Sequence, residues 1–146
     1  MPSLYDSARR HEIVTRLAAL TPDRSPAWGR FSAPQMVAHL TEAYRMYRGE
    51  LQIPLRPMPL RGVVRRLFIH HLPMPKGAPT APQLLARVPT TWAADLESLS
   101  SMIDAVRAPG QGAALPIHPL FGPMTSDDWG VLLYKHTDHH LRQFSV

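Results

Sequence analysis

The chain has 146 residues, enough for one domain with a core of its own, and hydrophobic residues at 45% against charged residues at 18% exclude a disordered segment. It contains no cysteine, which excludes disulfides, cysteine-ligated zinc and a thiol nucleophile of its own. The net charge of +5 comes from fourteen arginines and two lysines scattered along the chain, and the one concentration, Arg56, Arg61, Arg65 and Arg66, has no helix-turn-helix, finger or RNP-type pattern beside it.

That basic segment therefore reads as a solvated face, with a nucleic-acid surface or an entrance for anionic substrates as the competing readings. No specific nucleic-acid partner is expected. Asp6, Arg9 and Arg10 stand where a signal peptide needs an apolar run, and nothing approaches the roughly 18 apolar residues of a membrane span. The cytoplasm is the expected compartment, with no membrane partner.

In chain order, Leu4, Ile13, Val14, Leu17 and Leu20 recur at helical spacing and predict a first helix over 4–20, ended by Thr21-Pro22. The stretch 23–31 reads as a loop. Ser32 is placed to cap a second helix, with Pro34 near its first position, running to about Arg48 and stopped by Gly49. The region 50–88 carries seven prolines and reads as extended connection, save for one short helix over 60–72. A third main helix is predicted over 89–107, with Trp92, Leu96, Leu99, Met102, Ile103 and Val106 on one side. After a Pro/Gly loop, Thr125 and Asp128 form a capping box for a fourth main helix reaching about Phe144. The class is all-α, a single four-helix bundle over 1–146. A crossover of about 40 residues lets the second and third main helices run in one direction, so that the second lies antiparallel to the fourth.

The histidines carry the functional signal. On the last helix Trp129, Leu132, Leu133, His136, His140 and Gln143 fall at i, i+3, i+4, i+7, i+11 and i+14, so both histidines continue the apolar stripe. Four residues apart, they present imidazoles from one face and can chelate one ion, although such a pair also occurs on helix surfaces. On the second helix His39 sits in the inward stripe of Met36, Leu40, Ala43 and Tyr47, where a core histidine satisfied by a hydrogen bond is the competing reading. At about 1.5 Å of rise per residue, antiparallel packing brings His39, His136 and His140 to one level. Three neutral imidazoles leave a divalent ion its full charge and an open coordination position, which lowers the pKa of bound water and attracts anions such as thiolate or carboxylate. Zinc, nickel and iron all accept imidazole.

The segments WGRFSAPQMVAHL, KGAPTAPQLL and HPLFGPMTSDDWGVLLYKHTDHHLRQF resemble the DinB-like (DinB/YfiT) metal-binding bundle superfamily, over most of the chain. They are closest to an uncharacterised subgroup with a KHxDHHLRQF-type final helix. The resemblance implies an up-down-down-up bundle. It also implies that His39 and the H-x-x-x-H pair His136 and His140 are the metal ligands. Some members join low-molecular-weight thiols to small electrophiles, so a metal-dependent thiol transferase is the expected function. A non-catalytic metal-binding or stress-associated bundle, with a homodimer as its candidate assembly, is the alternative.

The other candidates rank lower. His139, about 60° round the helix from His136, reads as packing beside the ligands, with a fourth or alternative ligand as the competing role; Gln143 is similarly placed. Glu42, one turn after His39, could orient a ligand or act as a base but reads first as a surface acid. His118 reads as a turn and lid residue. His70, His71 and His11 read as exposed, and Trp28, Trp92, Trp129 and Tyr44 as core aromatics. No phosphate loop, G-x-S-x-G or H-E-x-x-H is present, so no catalytic residue is assigned.

Overall fold

A computed structural model describes residues 1–146. Five α-helices follow in order: α1 Ser7–Ala18, α2 Ala33–Tyr47, α3 Arg61–His70, α4 Trp92–Asp104 and α5 Ser126–Gln143, with a 3-10 turn over Pro82–Leu85. There is no strand; the single bridge, between His118 and Gly122, closes a turn. No helix is long and apolar enough to cross a membrane.

The caps decide where the helices begin. Asp6 accepts the Ala8 N–H at 2.8 Å and starts α1 later than the apolar spacing predicts. Leu4 and Tyr5 are held outside the helix because the buried Arg10 guanidinium donates to both of their carbonyls. The Leu4 N–H donates to the Gly130 carbonyl at 3.0 Å, and a Cβ at Gly130 would stand 2.3 Å from Ser3 Oγ. Only glycine lets the N-terminal segment cross α5 there. Reciprocal capping boxes, Ser32 with Gln35 and Thr125 with Asp128, open α2 and α5 as their sequences predict. α4 starts at Trp92 rather than Pro89, since the Asp95 carboxylate accepts from Thr90 N–H and Thr90 Oγ1 and holds that residue in the preceding turn.

Eleven of the fifteen residues of α2 are buried, which makes it the central helix. It packs on α4, α5 and the 3-10 turn, while α1 packs on α4 and α5, and all five helices contribute to the hydrophobic packing. α3 lies against α5. There the Lys135 ammonium reaches the carbonyls of Phe68, Ile69 and Leu72, the unpaired acceptors at the end of α3.

Three sequence expectations change here. The basic segment is only partly solvated, because Arg61 donates to the Arg56 carbonyl, and Arg65 to the Pro123 carbonyl beside the Asp128 carboxylate. His70 is half-buried, 2.7 Å from Asp128, while His71 is exposed. Trp129 and Tyr44 are core residues, whereas Trp28 and Trp92 are only half-buried.

Candidate metal centre

His39 projects from the middle of α2, and His136 and His140 from the last two turns of α5. The inward stripes of both helices carry them into one space. Their ligand-capable atoms all lie within 4.8 Å of one another, and His39 Nε2 is 3.1 Å from His136 Nε2. Two nitrogens on a tetrahedral zinc, each about 2.05 Å from it, stand roughly 3.3 Å apart. The three could therefore close on one ion with small side-chain shifts.

The proton positions follow from the outer contacts. His39 Nδ1 is 3.2 Å from the Leu84 carbonyl, which can only accept, so that nitrogen carries the proton and Nε2 keeps its lone pair. His140 Nδ1 is 2.8 Å from Gln143 Oε1, and the Gln143 amide is oriented by its Nε2 donating to the Trp28 carbonyl at 2.8 Å. His140 is thus also protonated on Nδ1, with Nε2 free. The ring of His136 faces both. Donation of an N–H from His136 Nε2 to His39 Nε2 accounts for the 3.1 Å contact in the metal-free form. With that proton moved to its Nδ1, His136 could offer Nε2 to a divalent ion beside the other two.

No acid enters the centre. Burial is the main cause that lowers the pKa of all three histidines: His140 falls to about 3, with the neighbouring His39 adding to the effect, and His136 falls well below its usual value through burial and then His140. For His39, burial outweighs the opposing bond to Leu84. All three are neutral near pH 7 and supply lone pairs without charge.

The covering residues come from connections. Phe31 stacks on His39 at 5.2 Å and tilts against His140 at 5.8 Å. The loop leading to it is tied to the end of α5: Arg24 donates to the Phe144 and Ser145 carbonyls, and the Ala27 N–H to Gln143 O at 2.7 Å. Gly29, at φ +80°, completes this closure, because a Cβ there would lie 2.5 Å from Gln143 Nε2. A cleft of about 520 Å³ runs between this loop and residues 84–89 and reaches His39.

The remaining candidates separate. Gln143 bonds a centre histidine directly. His139 is half-buried outside the converging set, edge-on to Trp28 at 5.8 Å, and Lys76 lies over that indole at 4.2 Å. Glu42 is not a surface acid: it is 4% exposed and pairs with Arg45 at 3.1 Å and with Arg87 at 3.4 Å, away from the imidazoles. Arg87 lies 45 residues along the chain, so α2 alone gives no sign of that burial. His118 stacks on Phe121 and accepts from the Leu120 and Phe121 N–H groups, a turn residue apart from the centre. Sequence reasoning missed Phe31 and the Leu84 carbonyl. Both lie in segments that carry the family resemblance, Phe31 in WGRFSAPQMVAHL and Leu84 in KGAPTAPQLL, which was the available signal.

The family described as "Protein of unknown function (DUF1569)" matches residues 6–146. No curated protein and no solved structure matches the chain.

Proposed function

The chain belongs to the DUF1569 family, whose function is unknown, and from its histidine centre we propose that it binds one divalent metal ion on Nε2 of His39, His136 and His140 and uses it to join a low-molecular-weight thiol to a small electrophile. The observation that carries this reading is the convergence of three neutral imidazoles, one of which lines a cleft, with no carboxylate among them. Three protein ligands leave a coordination position open, whereas structural zinc is normally closed by four. The donor set suits zinc, nickel or ferrous iron.

When bound, the ion would supply a Lewis acid that favours the deprotonated form of a thiol in its open position. In the overall reaction the thiol S–H bond and the bond from carbon to its leaving group break, a sulfur–carbon bond forms, and the proton departs with the leaving group. The chain's part is orientation and exclusion of water. Leu84 and Gln143 fix two imidazole rings, and Phe31 shields the face that two of them present. The second reading, a non-catalytic metal-binding or stress-associated bundle, is favoured by the depth of His39 and His140, 4% and 8% exposed.

We place the chain among the DinB-like bundles with an up-down-down-up order of α1, α2, α4 and α5. Glu12 with Tyr134 and Arg16 with Asp138 pair in rising order, as parallel helices do. Tyr47 with Trp129 and His39 with His136 pair in opposing order, as antiparallel helices do. One cleft joins the residues before α4 to the start of α2, and another joins those after α4 to its end.

The test is metal stoichiometry on untagged protein, then cobalt substitution with added thiol. His39→Ala, His136→Ala and His140→Ala are each expected to abolish tight binding, while His11→Ala retains it. Retention of one tightly bound ion by all three variants refutes the ligand set. A cobalt spectrum unmoved by a panel of thiols removes the transferase reading and leaves the metal-binding bundle.

A further inference from the structure

The cleft that ends on His39 has a charge pattern that the metal centre alone does not explain. Arg30 lies on one rim and Arg87 on the other, with Phe31, Leu84, Leu85 and Val88 between them. Arg30 is exposed and makes no ion pair. Arg87 has one acidic partner, Glu42, and shares it with Arg45. The single negative charge of Glu42 is thus divided between two guanidiniums, and the rim keeps an excess of between one and about one and a half positive charges. The segment that forms one wall deepens the asymmetry: from residue 51 to 94 there is no aspartate or glutamate, against Arg56, Arg61, Arg65, Arg66, Lys76 and Arg87.

We infer that this cleft binds a monoanionic, partly apolar ligand, whose carboxylate is held by Arg30 and Arg87 while its apolar body lies on Phe31 and Leu84 and its far end points toward the histidine centre. This rests on the metal-and-thiol reading for the far end and deepens it by naming the substrate class. A guanidinium offers a planar fork that fits a carboxylate, and such charge-assisted bonds are roughly twice as strong as neutral ones. A cationic ligand is repelled from the same rim. A dianion would leave part of its charge unmatched. Between the two arginines and His39 the lining is mostly apolar, with Gln35 the one neutral polar side chain on it, which suits a body that is apolar over most of its length.

The test compares 6-mercaptohexanoate with 6-mercaptohexanol, which share a thiol and an apolar chain and differ only at the far head group. With cobalt-loaded protein, the thiolate band is expected to saturate at about tenfold lower concentration for the acid, the size of one charge-assisted bond on a partly exposed rim. Arg30→Gln and Arg87→Gln should each remove most of that advantage and leave the alcohol's titration unchanged; both arginines lie outside the metal ligands. Raised salt should weaken the acid alone. Calorimetry with hexanoate on metal-free protein gives a readout independent of the ion, and the heat should fall in both variants.

The outcomes separate the two readings. Equal titration by acid and alcohol overturns the carboxylate subsite while the metal reading stands, as does an advantage that survives both substitutions. If neither thiol moves the spectrum but hexanoate binds through the arginines, the thiol reading fails and the subsite holds. Silence from thiols and hexanoate together overturns both.

Discussion

Replacing Gln143 tests how the centre is held. Its side chain is buried, accepts from His140 Nδ1 at 2.8 Å and donates to the Trp28 carbonyl at 2.8 Å. Gln143→Leu removes both bonds with little change in volume, leaving His140 free to take its other tautomer or to rotate. Loss of such an orienting partner lowers metal affinity by roughly 10- to 100-fold, which is about 1.4–2.7 kcal/mol. The metal-free fold should lose about 1–3 kcal/mol as well, since the Trp28 carbonyl is left unpaired. Chelator competition at fixed pH reads the first effect and urea unfolding of the metal-free protein the second. Gln143→Glu separates them: it keeps an acceptor for the His140 N–H, so metal affinity should hold, but it cannot donate to Trp28, so the metal-free fold should still weaken. Gly29→Ala should partly reproduce the leucine variant from outside, because its Cβ would press on Gln143 Nε2. If leucine binds the ion as tightly as the native glutamine, or leucine and glutamate weaken it equally, the orientation argument fails.

Stability of the metal-free protein should fall as pH drops below about 6.5. The three histidines have folded pKa values below that of a free imidazole, so the unfolded chain takes up protons first, at up to about 1.4 kcal/mol per pH unit for each histidine still neutral in the fold. Urea midpoints between pH 7.5 and 4.5 check this, and a His140→Leu protein with an unchanged slope would count against it. Lys135→Met should loosen α3 without touching metal affinity, because the ammonium serves only the carbonyls at the end of that helix. Faster amide exchange confined to residues 61–72 is the expected result, and weakened metal binding the contrary one.

What was legible in the sequence was whatever lies within one helical repeat. Ser32 with Gln35, and Thr125 with Asp128, sit three residues apart, and their capping boxes form as that spacing requires. His39, His136 and His140 interrupt apolar stripes, and stripes of that period turn inward; the histidines meet because their helices do. Contacts made across the chain left no such mark. Glu42 looks solvated until Arg87 is folded over it, and Lys135 looks like a surface lysine until the end of α3 arrives beside it. The expected first helix also overran α1 at its start: Leu4, nine residues before Ile13 and so about 180° round a helix from it, lies outside, where the Arg10 guanidinium holds its carbonyl.

The long connections matter for a reason that loop length alone does not convey. An imidazole offers its lone pair inward only if its proton is drawn outward, so the centre depends on two outward acceptors as much as on three histidines. One is the Leu84 carbonyl, supplied by a 3-10 turn in the crossover. The other is Gln143 Oε1, whose amide is oriented by the Trp28 carbonyl in the loop before α2. A bundle with short links would keep the same three histidines on the same faces. It would lose the crossover turn that fixes the His39 tautomer, and with it the reason for His39 to direct a lone pair rather than an N–H at His136. The crossover thus does two jobs with one stretch of chain: its backbone sets the proton on His39, and Arg87, three residues beyond Leu84, sets the charge of the cleft that leads there.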